Sequence, residues 1–110
     1  MNVEYKTKKL YKTVKNLKAI QKNYGVRAKK VNQRKEEIES SPNMEVLKNV
    51  CPNCHPLTGD RDKQFAIEIS GNHRIIFEIN HENIPLTENE EINFSEVTDI
   101  KILAIGEDYH

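Results

Sequence analysis

The sequence predicts an α+β domain in which helices pack on one face of an antiparallel sheet. Two observations support this prediction. The first half of the 110-residue chain has apolar residues at helical spacing, whereas the second half has short runs with strand-like alternation. Helices followed by strands are typical of the α+β class. The length leaves room for one domain, residues 1–110.

The first elements are predicted to be a short strand and a basic helix. The strand covers residues 2–5. An apolar stripe with spacings of three and four residues marks the helix: Leu10, Val14, Leu17, Ile20 and Tyr24. Thr7 can cap the start of this helix, and Gly25 can end it in a left-handed conformation.

A second basic helix is predicted from about residue 26 to residue 40. Its inward-facing side chains are expected to be Ala28, Val31 and Ile38. The segment Ser40-Ser41-Pro42-Asn43 ends this helix, because it combines proline with residues that favour turns.

Three apolar runs predict strands. Residues 65–70 and 73–79 alternate in character, and Gly71-Asn72 lies between them, which favours a β-hairpin with one buried face. A long acidic connection over residues 80–98 leads to a third run at residues 100–105. The expected sheet therefore has about three strands, packed on the two helices.

Charge is strongly segregated along the chain. Residues 1–50 carry a net charge of +8 and residues 51–110 a net charge of −8. The stretch from Lys6 to Lys35 contains 12 basic residues and no acidic residue. Such a stretch is either a pair of solvated helix faces or a surface for a polyanion, and nucleic acid or the ribosome is the partner that the charge favours.

Cys51-Pro52-Asn53-Cys54-His55 has the spacing of a haem-attachment motif. The sequence shows no export signal, and one cysteine pair without a second pair does not make a zinc site. The lack of a signal and of an apolar span of about 20 residues predicts a cytoplasmic protein without a membrane segment. We therefore expect two free thiols, with no metal and no cofactor.

Three motifs, taken in order, resemble a known family. They are His-Pro-Leu-Thr-Gly-Asp at 55–60, Asn-His-Arg-Ile-Ile-Phe at 72–77 and Asp-Tyr-His at 108–110. Over nearly the whole chain this order resembles the HigB branch of the RelE/ParE toxin superfamily, the killer proteins of plasmid maintenance systems. The resemblance implies a RelE-like fold and a type II toxin that cuts mRNA in the ribosomal A site. It also implies a HigA-like helix-turn-helix antitoxin as partner.

The same resemblance assigns five catalytic residues: His55, Arg74, Asp108, Tyr109 and His110. Metal-independent RNA cleavage needs a general base for the ribose 2′-hydroxyl, a general acid for the leaving oxygen and positive charge at the phosphate. Histidine can take either proton role near neutral pH, and the arginine fork can hold phosphate oxygens. These residue types leave open which histidine is the base.

Basic side chains are expected to provide further contacts with RNA and the ribosome. Near the catalytic motifs these are Arg61, Lys63 and His73, and on the helices they are Lys8, Lys12, Lys15, Lys29, Lys30 and Arg34. The family often has lysine where Thr58 stands and tryptophan where His73 stands. Arg61 or Lys63 can supply the positive charge that Thr58 lacks.

A binding protein without nuclease activity is the alternative. Some members of the superfamily poison DNA gyrase, and a member that has lost catalysis would only occupy its partner, as a suppressor does. The Asp-Tyr-His motif favours the nuclease, whereas the threonine at position 58 favours the alternative.

Overall fold

A computed structural model describes residues 1–51, 53–57 and 63–108 of the chain. Its strands are β1 (Asn2–Tyr5), β2 (His55–Pro56), β3 (Gln64–Ser70), β4 (His73–Ile79) and β5 (Asp99–Asp108). Its helices are α1 (Lys8–Lys12), α2 (Leu17–Tyr24), α3 (Ala28–Ser40) and α4 (Met44–Val50). Short 3-10 segments lie at Gly25–Arg27, before α3, and at Phe94–Glu96, before β5.

The strands form one mixed sheet in the order β1-β5-β4-β3-β2. β1 runs parallel to β5, and the other neighbouring strands are antiparallel. The α+β class and the β3–β4 hairpin are confirmed. The three predicted antiparallel strands are present as β3, β4 and β5, but the sheet has five strands rather than about three. β1 joins β5 in parallel at one edge, and the two-residue β2 joins β3 at the other.

The main core lies between the helices and one face of the sheet. Its largest side chains come from both layers: Ile38, Met44, Leu47, Ile67, Ile75, Phe77, Ile100 and Ile102. Ala28, Val31 and Ile38 of α3 are buried, as the sequence predicts. Burial of each large apolar side chain contributes about 1.5–3 kcal/mol, so this interface holds the helical layer on the sheet.

The hairpin is also buried on its second face, which differs from the predicted single buried face. Leu57, Ala66 and Ile76 form a small cluster there. Side chains alternate along β4, so Ile76 and Arg74 share this second face while Ile75 and Phe77 enter the main core. Arg74 therefore lies on the side of the sheet that the helices leave uncovered.

The first predicted helix is interrupted at residues 13–16, between α1 and α2. Asn16 has an extended backbone, and its side-chain oxygen accepts from a backbone amide in the first turn of α2 at 2.8 Å, which starts a new helix. The Thr13 hydroxyl forms a 2.7 Å hydrogen bond with the Tyr24 hydroxyl across this break. The prediction is also wrong for Leu17, which is 68% exposed rather than part of the buried stripe.

The sequence prediction does not include α4. Asn43 caps this helix by accepting from the Val46 amide at 3.0 Å, and Met44 and Leu47 are buried. With seven residues the helix is too short for periodicity to identify it. Its position matters for the site, because α4 leads directly into the segment from Cys51 to His55.

β5 extends beyond the predicted run and ends at Asp108. Two register shifts against β4 mark bulges in this long strand. Gly106, the unpaired residue of one bulge, has a φ of +78°, a conformation in which a residue with a Cβ is strained. The bulges keep the end of β5 paired with the start of β4.

Candidate functional site

His55 and Arg74 lie on the same face of the sheet, opposite the helices. His55 pairs with Ala66, and Ala66 pairs with Ile76. Arg74 precedes Ile76 by two residues and therefore shares its face. Strand spacing and rise place the Cα atoms of His55 and Arg74 about 12 Å apart, within the combined reach of the two side chains.

The end of β5 reaches the same corner of the sheet. Asp108 pairs with His73, and Glu107 pairs with Arg74. The prediction that the third apolar run lies beside the hairpin is confirmed. Three predicted site residues lie outside the described part of the chain: Arg61, Tyr109 and His110.

The His55 ring is exposed and is oriented by its own loop. Its Nδ1 lies 2.9 Å from the backbone oxygen of Asn53. Since a carbonyl oxygen only accepts hydrogen bonds, Nδ1 is the donor and carries the proton. In the neutral ring the lone pair is then on Nε2, which is the atom that can accept a proton from a substrate.

Arg74 is half-buried and folds back on the hairpin turn. Its Nη1 donates to the carbonyl oxygens of Gly71, at 2.6 Å, and His73, at 3.1 Å. Its Nε is buried and has no hydrogen-bond partner among the residues that the structure describes. An unsatisfied buried donor costs about 1–3 kcal/mol, so a phosphate that draws the guanidinium outward would relieve this cost.

The cysteines are free thiols, as predicted. Cys51 is 2% exposed and belongs to the main core rather than to a loop surface, and its Sγ donates to Glu37 Oε1 at 3.5 Å. Burial and the Glu37 carboxylate raise the pKa of Cys51 to about 12, and burial raises the pKa of Cys54 to about 11. Because the thiolate is the reactive form, neither cysteine is arranged as a nucleophile.

Both thiols are expected to resist alkylation in the folded protein. At pH 8 the thiolate fraction is about 10⁻⁴ for Cys51 and about 10⁻³ for Cys54. Because folding raises these pKa values, protonation of the two thiols favours the folded state. This contribution to the free energy of unfolding is complete below about pH 8.5 and is lost as the pH rises toward the folded-state pKa values. Iodoacetamide labelling in buffer and in guanidinium, read by mass spectrometry, measures the difference. Equal rates in the two conditions would contradict the prediction.

Of the predicted basic residues near the catalytic motifs, His73 and Lys63 belong to the described part of the chain. His73 is next to Arg74 in sequence but, by the alternation along β4, on the opposite face of the sheet, and Lys63 lies away from the site. His73 is half-buried and is the first residue of β4, next to Arg74. Lys63 is exposed just before Gln64, at the end of β3 remote from Glu68, the residue that pairs with Arg74. About 13 Å of strand separates Gln64 from Glu68.

Five lysines surround a concavity of about 480 Å³ at the break between α1 and α2: Lys9, Lys12, Lys15, Lys18 and Lys22. Lys12 and Lys15 belong to the predicted RNA-contacting set, whereas the other three do not. The helix break brings the five together, and the continuous apolar stripe of the sequence hides that break. Among the remaining predicted lysines, Lys8 and Lys29 are exposed and Lys30 is half-buried.

Arg34, which the sequence analysis includes among the RNA-contacting residues, makes contacts within the protein. Its Nε donates to the Glu68 carbonyl oxygen at 3.0 Å, and its Nη1 forms a 2.6 Å ion pair with Glu37. The Arg34 side chain is only 16% exposed. These contacts tie α3 to β3, and we do not include Arg34 in the basic surface.

Within residues 1–51, 53–57 and 63–108, no group of three or more His, Cys, Asp or Glu side chains is placed to hold a metal ion. Of the helices in those ranges, none is long and apolar enough to cross a bilayer.

The fold of the chain, a helical layer on one face of a mixed sheet, is similar to that of a solved toxin structure. One similar solved structure is a YoeB/ParE toxin from Agrobacterium tumefaciens, with a TM-score of 0.52 and 11% sequence identity over 100% of this chain and 99% of that chain. This similarity shows the fold and does not distinguish a HigB branch. No protein-family model and no curated protein sequence matches the chain.

Proposed function

We propose that this protein is the toxin of a type II toxin–antitoxin system and that it cleaves mRNA on the ribosome. The observation that carries the proposal is the placement of His55 and Arg74 on one uncovered sheet face, at the corner where β5 ends. The YoeB/ParE-like fold and the HigB-like order of motifs support the same function. The enzyme is a metal-independent endoribonuclease that acts in the cytoplasm.

The reaction is an attack of the ribose 2′-oxygen on the adjacent phosphorus. His55 accepts the 2′-hydroxyl proton at Nε2 while the bond from the 2′-oxygen to phosphorus forms and the bond from phosphorus to the 5′-oxygen breaks. His110 donates a proton to the leaving 5′-oxygen, and Arg74 holds the non-bridging oxygens. In this proposal the ring of Tyr109 stacks on a base.

Ribosomal RNA is the proposed partner of the lysine-rich helical surface, and an antitoxin is the proposed inhibitor. None of the described residues that line the lysine-rich concavity is acidic, so its positive field attracts phosphates. A HigA-like helix-turn-helix antitoxin would cover this basic surface with acidic or apolar side chains. The alternative is a gyrase-directed toxin or a member without catalysis, in line with an Arg74 that is already bonded to its own turn.

Induced expression of the full chain tests the proposed function. We expect growth arrest together with new 5′ ends inside translated mRNA, mapped by primer extension, and no such ends when translation is blocked. Coexpression of the helix-turn-helix protein encoded next to it, if one is present, should restore growth. Growth arrest without mRNA cleavage, accompanied by DNA damage, would indicate the gyrase-directed alternative.

Replacement of Arg74 by alanine is expected to lower mRNA cleavage about 10²-fold. Loss of one charge-assisted contact to a transition state typically costs about 3 kcal/mol. Because Arg74 also bonds the Gly71 and His73 carbonyl oxygens, circular dichroism and thermal unfolding must show that the hairpin survives. Arg74→Lys keeps the positive charge but not the planar guanidinium, so its cleavage rate should lie between those of the wild type and Arg74→Ala. Full cleavage by a folded Arg74→Ala protein would remove Arg74 from the mechanism.

Ribosome binding is expected to weaken steeply with salt. Each phosphate that a lysine neutralises contributes about 0.7–0.9 to the slope of log affinity against log salt concentration. The triple variant Lys12→Gln, Lys15→Gln, Lys18→Gln should therefore reduce the slope by about 2 to 3. Lys48, which lies 3.8 Å from the centre of the Phe94 ring and outside the concavity, provides the matched control Lys48→Gln. An unchanged slope in the triple variant would exclude this surface.

A further inference from the structure

Asn53 connects the His55 ring to the sheet through two hydrogen bonds. Its side-chain Nδ2 donates to Glu68 Oε2 at 2.6 Å, and its backbone oxygen accepts from His55 Nδ1 at 2.9 Å. Asn53 itself is exposed, so its position depends on these contacts rather than on burial. The Glu68 carboxylate thus holds Asn53, and Asn53 in turn orients the His55 imidazole.

Glu68 is itself held from the helical side. Arg34 Nε donates to the Glu68 carbonyl oxygen at 3.0 Å, and Arg34 Nη1 pairs with Glu37 Oε1 at 2.6 Å. The same Glu37 oxygen accepts from Cys51 Sγ at 3.5 Å. The loop is therefore anchored at Cys51 and again at Asn53 to one set of polar side chains on α3 and β3.

The Glu68 carboxylate has a second potential partner that it does not use. Glu68 pairs in register with Arg74 and therefore shares its sheet face. Among the described side chains the ion pairs are Arg34–Glu37 and Lys35–Glu39, and none joins Glu68 to Arg74. Glu68 thus binds the loop amide and leaves Arg74 without a carboxylate partner from β3.

We propose that Asn53 and Glu68 are positioning residues that hold the His55 ring with its proton on Nδ1 and its lone pair on Nε2. This inference rests on the proposed function, in which His55 is the general base. The Cys-Pro-Asn-Cys-His segment is, in this proposal, a scaffold for a histidine: Cys51 fixes the start of the loop in the core, and Asn53 fixes the ring. Fixing a ring tautomer through the partner of its other nitrogen is a general device in proteins.

The proposal predicts paired effects of two substitutions. Asn53→Ala and Glu68→Ala should each lower kcat for mRNA cleavage about 10-fold while leaving KM for ribosomes unchanged, because neither side chain contacts RNA. The double variant should be no worse than either single variant, since both remove the same hydrogen bond. Glu68→Gln keeps an acceptor oxygen for the Asn53 amide and should restore most of the rate. Glu78→Ala removes a carboxylate from the same face of β4, outside this network, and should have no effect.

Nitrogen-15 NMR of the imidazole provides a readout that does not depend on activity. At a pH where the ring is neutral, wild-type protein should show His55 with hydrogen on Nδ1, and the Asn53→Ala protein should show both tautomers. Asn53 is exposed, so this variant is expected to fold even where Glu68→Ala does not. A wild-type ring with hydrogen on Nε2, or a tautomer that neither substitution changes, would overturn the positioning role. A wild-type protein that has the Nδ1 tautomer and does not cleave mRNA would overturn the nuclease function and leave the positioning role standing.

Discussion

Deletion of Tyr109 and His110 is expected to lower translation-dependent mRNA cleavage by about 10³-fold or more and to abolish growth inhibition. A positioned general acid contributes about 10² to 10⁴ in rate, and the deletion removes the proposed acid together with the proposed base-stacking ring. The last described residue, Asp108, pairs with His73, so the deletion leaves every described pair of the β4–β5 ladder in place. The measurement is primer extension on ribosome-bound mRNA alongside colony counts after induction.

Two controls separate lost chemistry from lost folding in the shortened protein. Its thermal unfolding temperature and its affinity for an antitoxin should match those of the full chain, because Ile105 is the last residue of the main core in the described part of the chain. His110→Gln in the full chain should reproduce most of the loss without any change in length. If the shortened protein is folded and still cuts ribosome-bound mRNA at the normal rate, Tyr109 and His110 have no part in catalysis.

The orientation of side chains in the hairpin could be predicted from the sequence, because it follows from the alternation of residues along a strand. Alternation with period two requires side chains to face opposite sides, and Ile75 and Phe77 do enter the main core while Arg74 faces the other way. The second buried cluster was not predictable from this rule, because alternation predicts one buried face and Ala66 and Ile76 lie on the other face. Their burial depends on Leu57, which comes from a separate part of the chain.

The helical half shows where the same approach fails. The apolar stripe keeps its spacing through residues 13–16, so periodicity alone predicts one helix. Hydrogen bonding by short polar side chains decides otherwise: Asn16 caps a new helix, and Thr13 bonds Tyr24. The lysine-lined concavity exists only because of this break, which is why Lys9, Lys18 and Lys22 could not be selected from the sequence.

The sequence could predict which residues belong to the candidate site, but not the contacts that these residues make. His55 and Arg74 came from the order of motifs, and strand register then placed them on one face. Asn53 and Glu68 carry no sequence signal of their own, since an exposed asparagine and a strand glutamate are ordinary surface residues. Arg34 was selected for its charge, and only the structure shows that this charge is paired with Glu37 inside the protein.

Replacement of His55 by alanine is expected to lower mRNA cleavage by about 10² to 10⁴-fold, the usual contribution of a general base. His55 is exposed and its only described hydrogen bond goes to the Asn53 backbone, so the substitution should change the unfolding temperature little. Ribosome binding should also be unchanged, because the lysine-rich concavity lies on the helices and not on this sheet face. Cleavage rate at saturating ribosome concentration is therefore the measurement that isolates the chemical step.

A second histidine provides the comparison that makes the His55 result specific. His81 Nε2 accepts from the backbone amides of Thr98 and Asp99, at 3.1 and 3.3 Å, where it supports the start of β5. His81→Ala should therefore lower the unfolding temperature and leave the cleavage rate of the folded protein near that of the wild type. His55→Ala should leave the unfolding temperature near that of the wild type and lower the cleavage rate. Because the two histidines differ in what their Nε2 atoms contact, a large loss of cleavage in folded His81→Ala, or none in His55→Ala, would show that the base lies elsewhere.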